Sequence, residues 1–84
     1  GDVVAMTKLN NLNAELLEFV VKSSSAVCNK TIKSIDFPRS AIIGGVIRNG
    51  VGIIALGDFK IQEGDRMVVC CLLESIKRLE KLFL

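Results

Sequence analysis

Three groups of residues in this 84-residue sequence have types and spacings that chemistry could use. The first is Gly50-Val51-Gly52-Ile53-Ile54-Ala55, which fits the dinucleotide fingerprint G-x-G-x-x-A. That chemistry needs a strand before the glycines and a helix after them, so that helix N-terminal amides meet a pyrophosphate. Here the glycines follow Asn49-Gly50, the favoured pair for a two-residue type I′ turn, and lead into β-branched Ile53 and Ile54. The acidic residue wanted about twenty positions on is also missing, since Asp65 and Glu74 fall to either side of it. The segment reads as a hairpin. The second group is Asp58, Glu63 and Asp65, three carboxylates that could converge on a divalent cation. Glu63-Gly64-Asp65 is ordinary turn chemistry, and we read it so. The third is Cys28, Cys70 and Cys71, with no Cys-x-x-Cys and no His to complete a zinc site. Reduced thiols buried in a cytosolic domain are the expectation. No nucleophile stands in a recognisable activating pattern, so we do not expect an enzyme. Asn29-Lys30-Thr31 fits the glycosylation triplet, which signifies nothing without secretion.

What remains is an apolar ribbon with a cation at its end. Ile42 and Ile43 offer apolar walls, and Arg48 offers a guanidinium that can meet an anion. Both faces of this ribbon are greasy, so each must meet something. One face can cover the domain's own core. The other is left for a second copy in a two-fold dimer, or for a pocket at that contact.

The elements that must position these residues follow from size and pattern. Eighty-four residues make one domain. Half are apolar and the mean hydropathy is +0.47, which excludes disorder. For so small a body it also implies apolar surface covered by another chain. A net charge of +2 without Trp, Tyr or His argues against nucleic-acid binding, because stacking platforms need aromatic rings. The longest strongly apolar run, Met67 to Leu73, is too short to cross a bilayer, and no signal peptide opens the chain. Gly1 in place of Met leads us to expect a piece of a longer protein.

Residues 1–13 read as a connecting arm with a helical turn, and 14–84 as the domain. Leu17, Phe19 and Val21 alternate as in a strand with one buried face, ended by Ser23, Ser24 and Ser25. Cys28, Ile32 and Ile35 have helical spacing, with Asn29 as N-cap and Pro38 as the boundary. The hairpin of 41–48 and 51–56 follows, with Gly44 and Gly45 marking a bulge or close backbone approach. Phe59 to Ile61 is a short extended piece. Arg66 to Leu72 is apolar on both sides, as a central strand is. Leu73 to Phe83 forms an amphipathic helix with Leu73, Ile76, Leu79 and Phe83 on one face. The expected class is α+β, a two-layer fold of order β-α-β-β-β-β-α.

Phe37-Pro38, Ala41-Ile42-Ile43-Gly44-Gly45-Val46-Ile47-Arg48-Asn49-Gly50 and Ile61-Gln62-Glu63-Gly64-Asp65-Arg66-Met67-Val68-Val69 resemble, in this order, the RCK C-terminal (TrkA-C) domain family. The resemblance covers residues 14 to 83. It implies a dimerising regulatory domain of a bacterial Trk-type potassium uptake system, following a missing upstream domain that binds NAD(H) or ATP/ADP. It implies a cytoplasmic protein, held peripherally on the inner face of the plasma membrane by a potassium-translocating subunit of TrkH or KtrB type. In some relatives cyclic di-AMP binds between the subunits, and the positions that resemble that site are Ile42, Ile43 and Arg48. The alternative is a purely structural dimerisation module whose sensing is done by the upstream domain. No cofactor is expected in residues 1–84 themselves, and neither nucleic-acid binding nor membrane insertion.

Overall fold

Alternation of inward and outward side chains builds one antiparallel sheet. In this computed structural model residues 3–8 and 13–84 are described. The strands are β1 (Val3–Lys8), β2 (Ala14–Val20), β3 (Ala41–Arg48), β4 (Val51–Ile53) and β5 (Arg66–Leu72), in the spatial order β1-β2-β5-β3-β4. The one α-helix among the described residues, α1 (Ile76–Phe83), follows a 3-10 turn at Leu73–Ser75. The α+β class and the central place of β5 are as expected.

Three elements differ from the expectation. Val3–Lys8, read as part of an arm, is a strand paired to β2 with Met6 opposite Leu17 and Lys8 opposite Glu15. The helical turn expected within the arm of 1–13 has no place in Val3–Lys8, and residues 1, 2 and 9–12 lie outside the described residues. The helix expected from Asn29 is only a 3-10 turn at Ile32–Ser34. Asn29 does not cap it, because its φ of 66° places it in the left-handed region, which Asn tolerates better than most residues. The backbone N–H groups of Asn29, Ile32 and Lys33 donate to the carbonyls of Ile61, Phe59 and Gly57. Residues 29–33 are thus strapped to 57–61, and the donors that a longer helix would use point across instead. The same strap reduces the extended piece at Phe59 to Ile61 to a single bridge between Thr31 and Lys60.

The hairpin forms at the expected place. Asn49 (φ 51°) and Gly50 (φ 76°) supply the two positive φ angles that a type I′ turn demands. Its second strand stops at Ile53, three residues short of the expected end. On the other side of β3, Ile43 pairs with Val69 and Gly45 with Val68, so one residue is extra there. The bulge resets the alternation. By register, Ala41, Ile43, Val46 and Arg48 share the side of Cys71, Val69 and Met67, while Ile42 and Ile47 share the side of Cys70 and Arg66.

Among the described residues the core lies on one face. Leu17 and Phe19 from β2, Val46 from β3, and Met67, Val69 and Cys71 from β5 are buried there with Val21, Val27 and Ile61. Leu79 and Phe83 of α1 close over them. The Phe19 and Phe83 rings stack with centroids 4.5 Å apart. Ser25 Oγ accepts the N–H of Lys22 and donates to the Phe83 carbonyl, tying the end of α1 to the turn after β2. Leu73, expected on the apolar face, is 43 % exposed, and Ser75 is buried in its place. The reason is the 3-10 turn, whose three-residue period rotates Leu73 away from the stripe. The Ser75 hydroxyl is hydrogen-bonded to that of Ser40.

Asp65 joins four segments at the far end of β5. It is 1 % exposed. Its Oδ1 accepts from Arg48 Nε at 2.7 Å, and its Oδ2 from Arg48 Nη2 at 2.7 Å and from the Gln62 N–H at 2.9 Å. Its carbonyl accepts from Val21 N–H, and Gly64, at φ 87°, completes the turn and donates to the Val21 carbonyl. Burial works to raise the Asp65 carboxyl, but the hydrogen bonds from Arg48 and Gln62, with the Arg48 charge, outweigh it and hold it below its usual range.

Two outcomes follow. Phe83→Ala removes the stacked ring and leaves a hole under α1, so urea unfolding should show a loss of about 3–5 kcal/mol. Asp65 is depressed in the folded state, so its contribution is complete above the unfolded carboxyl value of about 4 and is lost as pH falls through the lower folded one. Asp65→Asn should therefore cost about 2–3 kcal/mol at pH 7. The gap to the wild type should stay constant down to about pH 5 and narrow below about pH 4. A gap that widens towards acid pH would contradict this assignment.

Candidate ligand and partner face

Among the described residues the sheet face opposite the core carries no helix. Leu16 and Val20 from β2, Val68, Cys70 and Leu72 from β5, and Ile42 and Ile47 from β3 lie on it by register. Ile42 is 68 % exposed and Leu72 42 %. Among these apolar residues stands an ion pair, Arg66 Nε to Glu18 Oε1 at 2.8 Å, across β5 and β2. A trough of about 260 Å³ runs beside it, lined by Gly44, Gly45, Ile47, Gly52, Ile54 and Val68. The three glycines add no side chains, so backbone is open there. A Cβ on Gly52 would meet nothing within 4 Å, whereas one on Gly45 would meet the Ile53 carbonyl at 3.4 Å. The trough is therefore shaped by Gly45 from necessity and by Gly52 from omission.

At its rim the chain leaves β4 with Ile54 at 81 % and Leu56 at 73 % exposure, next to Val51 at 61 %. Large side chains left in water at this density mark a contact surface. The arrangement offers apolar area and open backbone, with its one described ion pair already neutral. It suits a flat apolar partner better than a polyanion.

The three residues singled out from the sequence do not meet within one chain. Ile42 lies on the open face. Ile43 faces the core side and packs against it. Arg48, on that same side after the bulge, is engaged by Asp65, donates from Nη2 to the Lys60 carbonyl at 2.9 Å, and lies over the Phe59 ring at 4.6 Å. The hydrogen bond and charge of Asp65 raise the Arg48 pKa further, against a smaller effect of burial. Asp65, which the sequence assigns to a turn, is thus also the partner of the candidate anion reader. Its pairing follows from register, since the antiparallel position after Ile47 and Arg66 sets Arg48 opposite Asp65. Asp58 pairs with Lys33 at 2.9 Å, and no cluster of three metal-ligating side chains occurs among the described residues. Cys71 is buried, and burial, the neighbouring Cys70 and Glu15 push its thiol up.

Gly50-Val51-Gly52 sits in the hairpin with no helix after it, so it is not a nucleotide loop. Among the described residues no helix is long and apolar enough to cross a membrane.

Comparison with known proteins agrees with this architecture. The chain is 32 % identical over 81 residues to a Trk system potassium uptake protein TrkA homolog from Methanosarcina mazei, covering 96 % of this chain and 18 % of that protein. It is 35 % identical over 69 residues to the Trk system potassium uptake protein TrkA of Azorhizobium caulinodans, covering 82 % of this chain and 15 % of that one. The chain therefore spans less than a fifth of the length of these relatives. A solved structure described as an RCK domain with cda superposes with a TM-score of 0.68 at 26 % identity, covering 80 % of this chain and 96 % of that one. The TrkA-C domain family profile matches residues 16–84, and this chain belongs to the TrkA-C domain family.

Proposed function

We propose that this domain is a dimer-forming, ligand-responsive regulatory module of a Trk-type potassium uptake system. The observation that carries the reading is the family match over residues 16–84 on a sheet whose second face is apolar and open. A second copy packs on that face. A cyclic di-AMP site lies at the contact and draws on Ile42, Ile43 and Arg48. The similar RCK domain solved with cda supports a small-molecule ligand for this fold.

Regulation then has a physical form. A ligand between two copies shifts their arrangement by its difference in affinity for the two arrangements, and no more. In the longer protein that the relatives' lengths suggest, an upstream domain binding NAD(H) or ATP/ADP adds its own bias. The whole acts at the inner face of the plasma membrane on a potassium-translocating subunit of TrkH or KtrB type. The role is regulatory, not catalytic.

One observation favours a second reading. Arg48 is already paired with Asp65, which suits a purely structural dimerisation module with all sensing upstream.

Sedimentation and calorimetry separate the two. The 84-residue chain should sediment as a dimer at micromolar concentration, and Ile42→Asp should shift it to monomer without unfolding it, since Ile42 is exposed. Cyclic di-AMP should bind with measurable heat and, at one hundred times Kd, stabilise the dimer by about 2.7 kcal/mol. A dimer without heat supports the structural module. A monomer at about 100 µM would overturn both, because an interface that weak falls below the specific class.

A further inference from the structure

The sheet ends in two edges, β1 and β4. In an antiparallel pair, opposite residues alternate between those that exchange both backbone hydrogen bonds and those that exchange none. The tight turn at Asn49 and Gly50 makes Arg48 and Val51 an exchanging pair, and Val46 and Ile53 the next one. In keeping with this, a Cβ on Gly45 would meet the Ile53 carbonyl, which faces β3. The N–H and C=O of Gly52 therefore point away from β3. Ile54 lines the same trough as Gly52, so the alternation runs on and its backbone groups point outward too. No described strand lies beyond β4 to take them.

Edge strands are ordinarily blunted by charge, Pro or a twist that turns them away. From Asn49 to Gly57 this one carries no charged residue and no Pro. It is left ready to pair.

We propose that β4 is a self-association edge, on which two copies pair antiparallel about a two-fold axis at Ile53, with Ile54 of each seated over Gly52 of the other. That register sets Gly52 opposite Ile54 in both directions, so both residues of each copy exchange their outward bonds. Sliding it would oppose Gly52 to itself or Ile54 to itself. The remaining groups would then meet Gly50, which is in the turn, or Leu56, whose carbonyl already accepts the Phe59 N–H. Space agrees with the register. A Cβ on Gly52 would meet nothing within 4 Å, so the branched side chain of Ile54, 81 % exposed in one copy, has room there.

β4 pairs with Val46 to Arg48, at the other end of β3 from Ile42. The edge is thus separate from the face contact proposed above and does not rest on it. So short an edge covers less than the about 800 Å² per partner of a stable dimer, which makes it weak alone. Tethering copies in a longer protein raises their effective concentration and lets a weak contact count.

Sedimentation equilibrium of the 84-residue chain carrying Ile42→Asp, which removes the face contact, isolates the edge. This chain should be monomeric at about 10 µM and dimeric near about 1 mM. Adding Gly52→Val fills the seat of Ile54 and should raise Kd by about tenfold or more, with Tm held or raised because Val favours strands. Ile54→Lys should weaken the pairing likewise. Ile53→Cys should cross-link to itself under oxidised glutathione, since directly opposed non-bonded residues lie about 4.5 Å apart at Cα, within disulfide reach. Val51→Cys, opposite Ala55 of the second copy, should not. An Ile42→Asp chain that stays monomeric at about 1 mM overturns the proposal. So does a dimer that neither Gly52→Val nor Ile54→Lys weakens, or a link through position 51 in place of 53. Growth beyond the dimer means head-to-tail pairing of β4 with β1, which also overturns it. The face contact is judged separately, by the wild type at micromolar concentration.

Discussion

A carboxylate that is 1 % exposed must be answered by hydrogen bonds or lose its charge, and Asp65 is answered three times. The rest of the domain hangs on that pairing. Arg48 ends the first strand of the hairpin and Asp65 precedes the central strand, so their contact fixes the register of β3 on β5 at its open end. Lys60 and Phe59 are drawn to the same guanidinium, which brings the 57–61 loop into place. That loop in turn straps residues 29–33. A buried pair of this kind adds little net stability compared with apolar residues of the same shape, but breaking it is expensive. Its value here is in deciding which arrangement the loops adopt.

The second constraint is the number of residues. A chain of this length can cover one face of a five-stranded sheet, and α1 with the loops covers one. The apolar side chains of β2, β3 and β5 continue on the other face, where the described residues provide no lid. In a parallel sheet both faces would be buried within the fold, whereas an antiparallel sheet tolerates one open face when that face is polar. This one is mostly not. The bulge at Gly44 sharpens the division, because it sends Arg48 to the covered side and leaves Ile42 and Ile47 on the open one.

Much of this was legible in the residues themselves. The alternation in β2, the two-sided run of β5 and the Asn49-Gly50 turn are local signals, and each gives its element in the right place. The losses are non-local. Val3 to Lys8 has no alternation and becomes a strand only because the edge of β2 accepts it. Cys28, Ile32 and Ile35 do face the core as their spacing suggests, yet hydrogen bonds to 57–61 replace the helix. Leu73 falls out of the apolar stripe because the first turn is 3-10. For the site, the residue types were legible and their geometry was not. Nothing near Arg48 in the chain announces Asp65, seventeen positions away, as its partner.

The family assignment, the one-sided core and the open apolar face together support the proposal that a second copy covers the free surface. The two adjacent cysteines give a direct probe of that claim, since Cys70 lies on the open face by register and Cys71 is buried on the other. Alkylation can be followed at each site by peptide mass spectrometry over a range of protein concentration. The account predicts that Cys70 labels readily in dilute protein and becomes protected as concentration rises, while Cys71 stays protected throughout. Labelling of Cys70 at a rate independent of concentration, or of Cys71 as fast as Cys70, would contradict it.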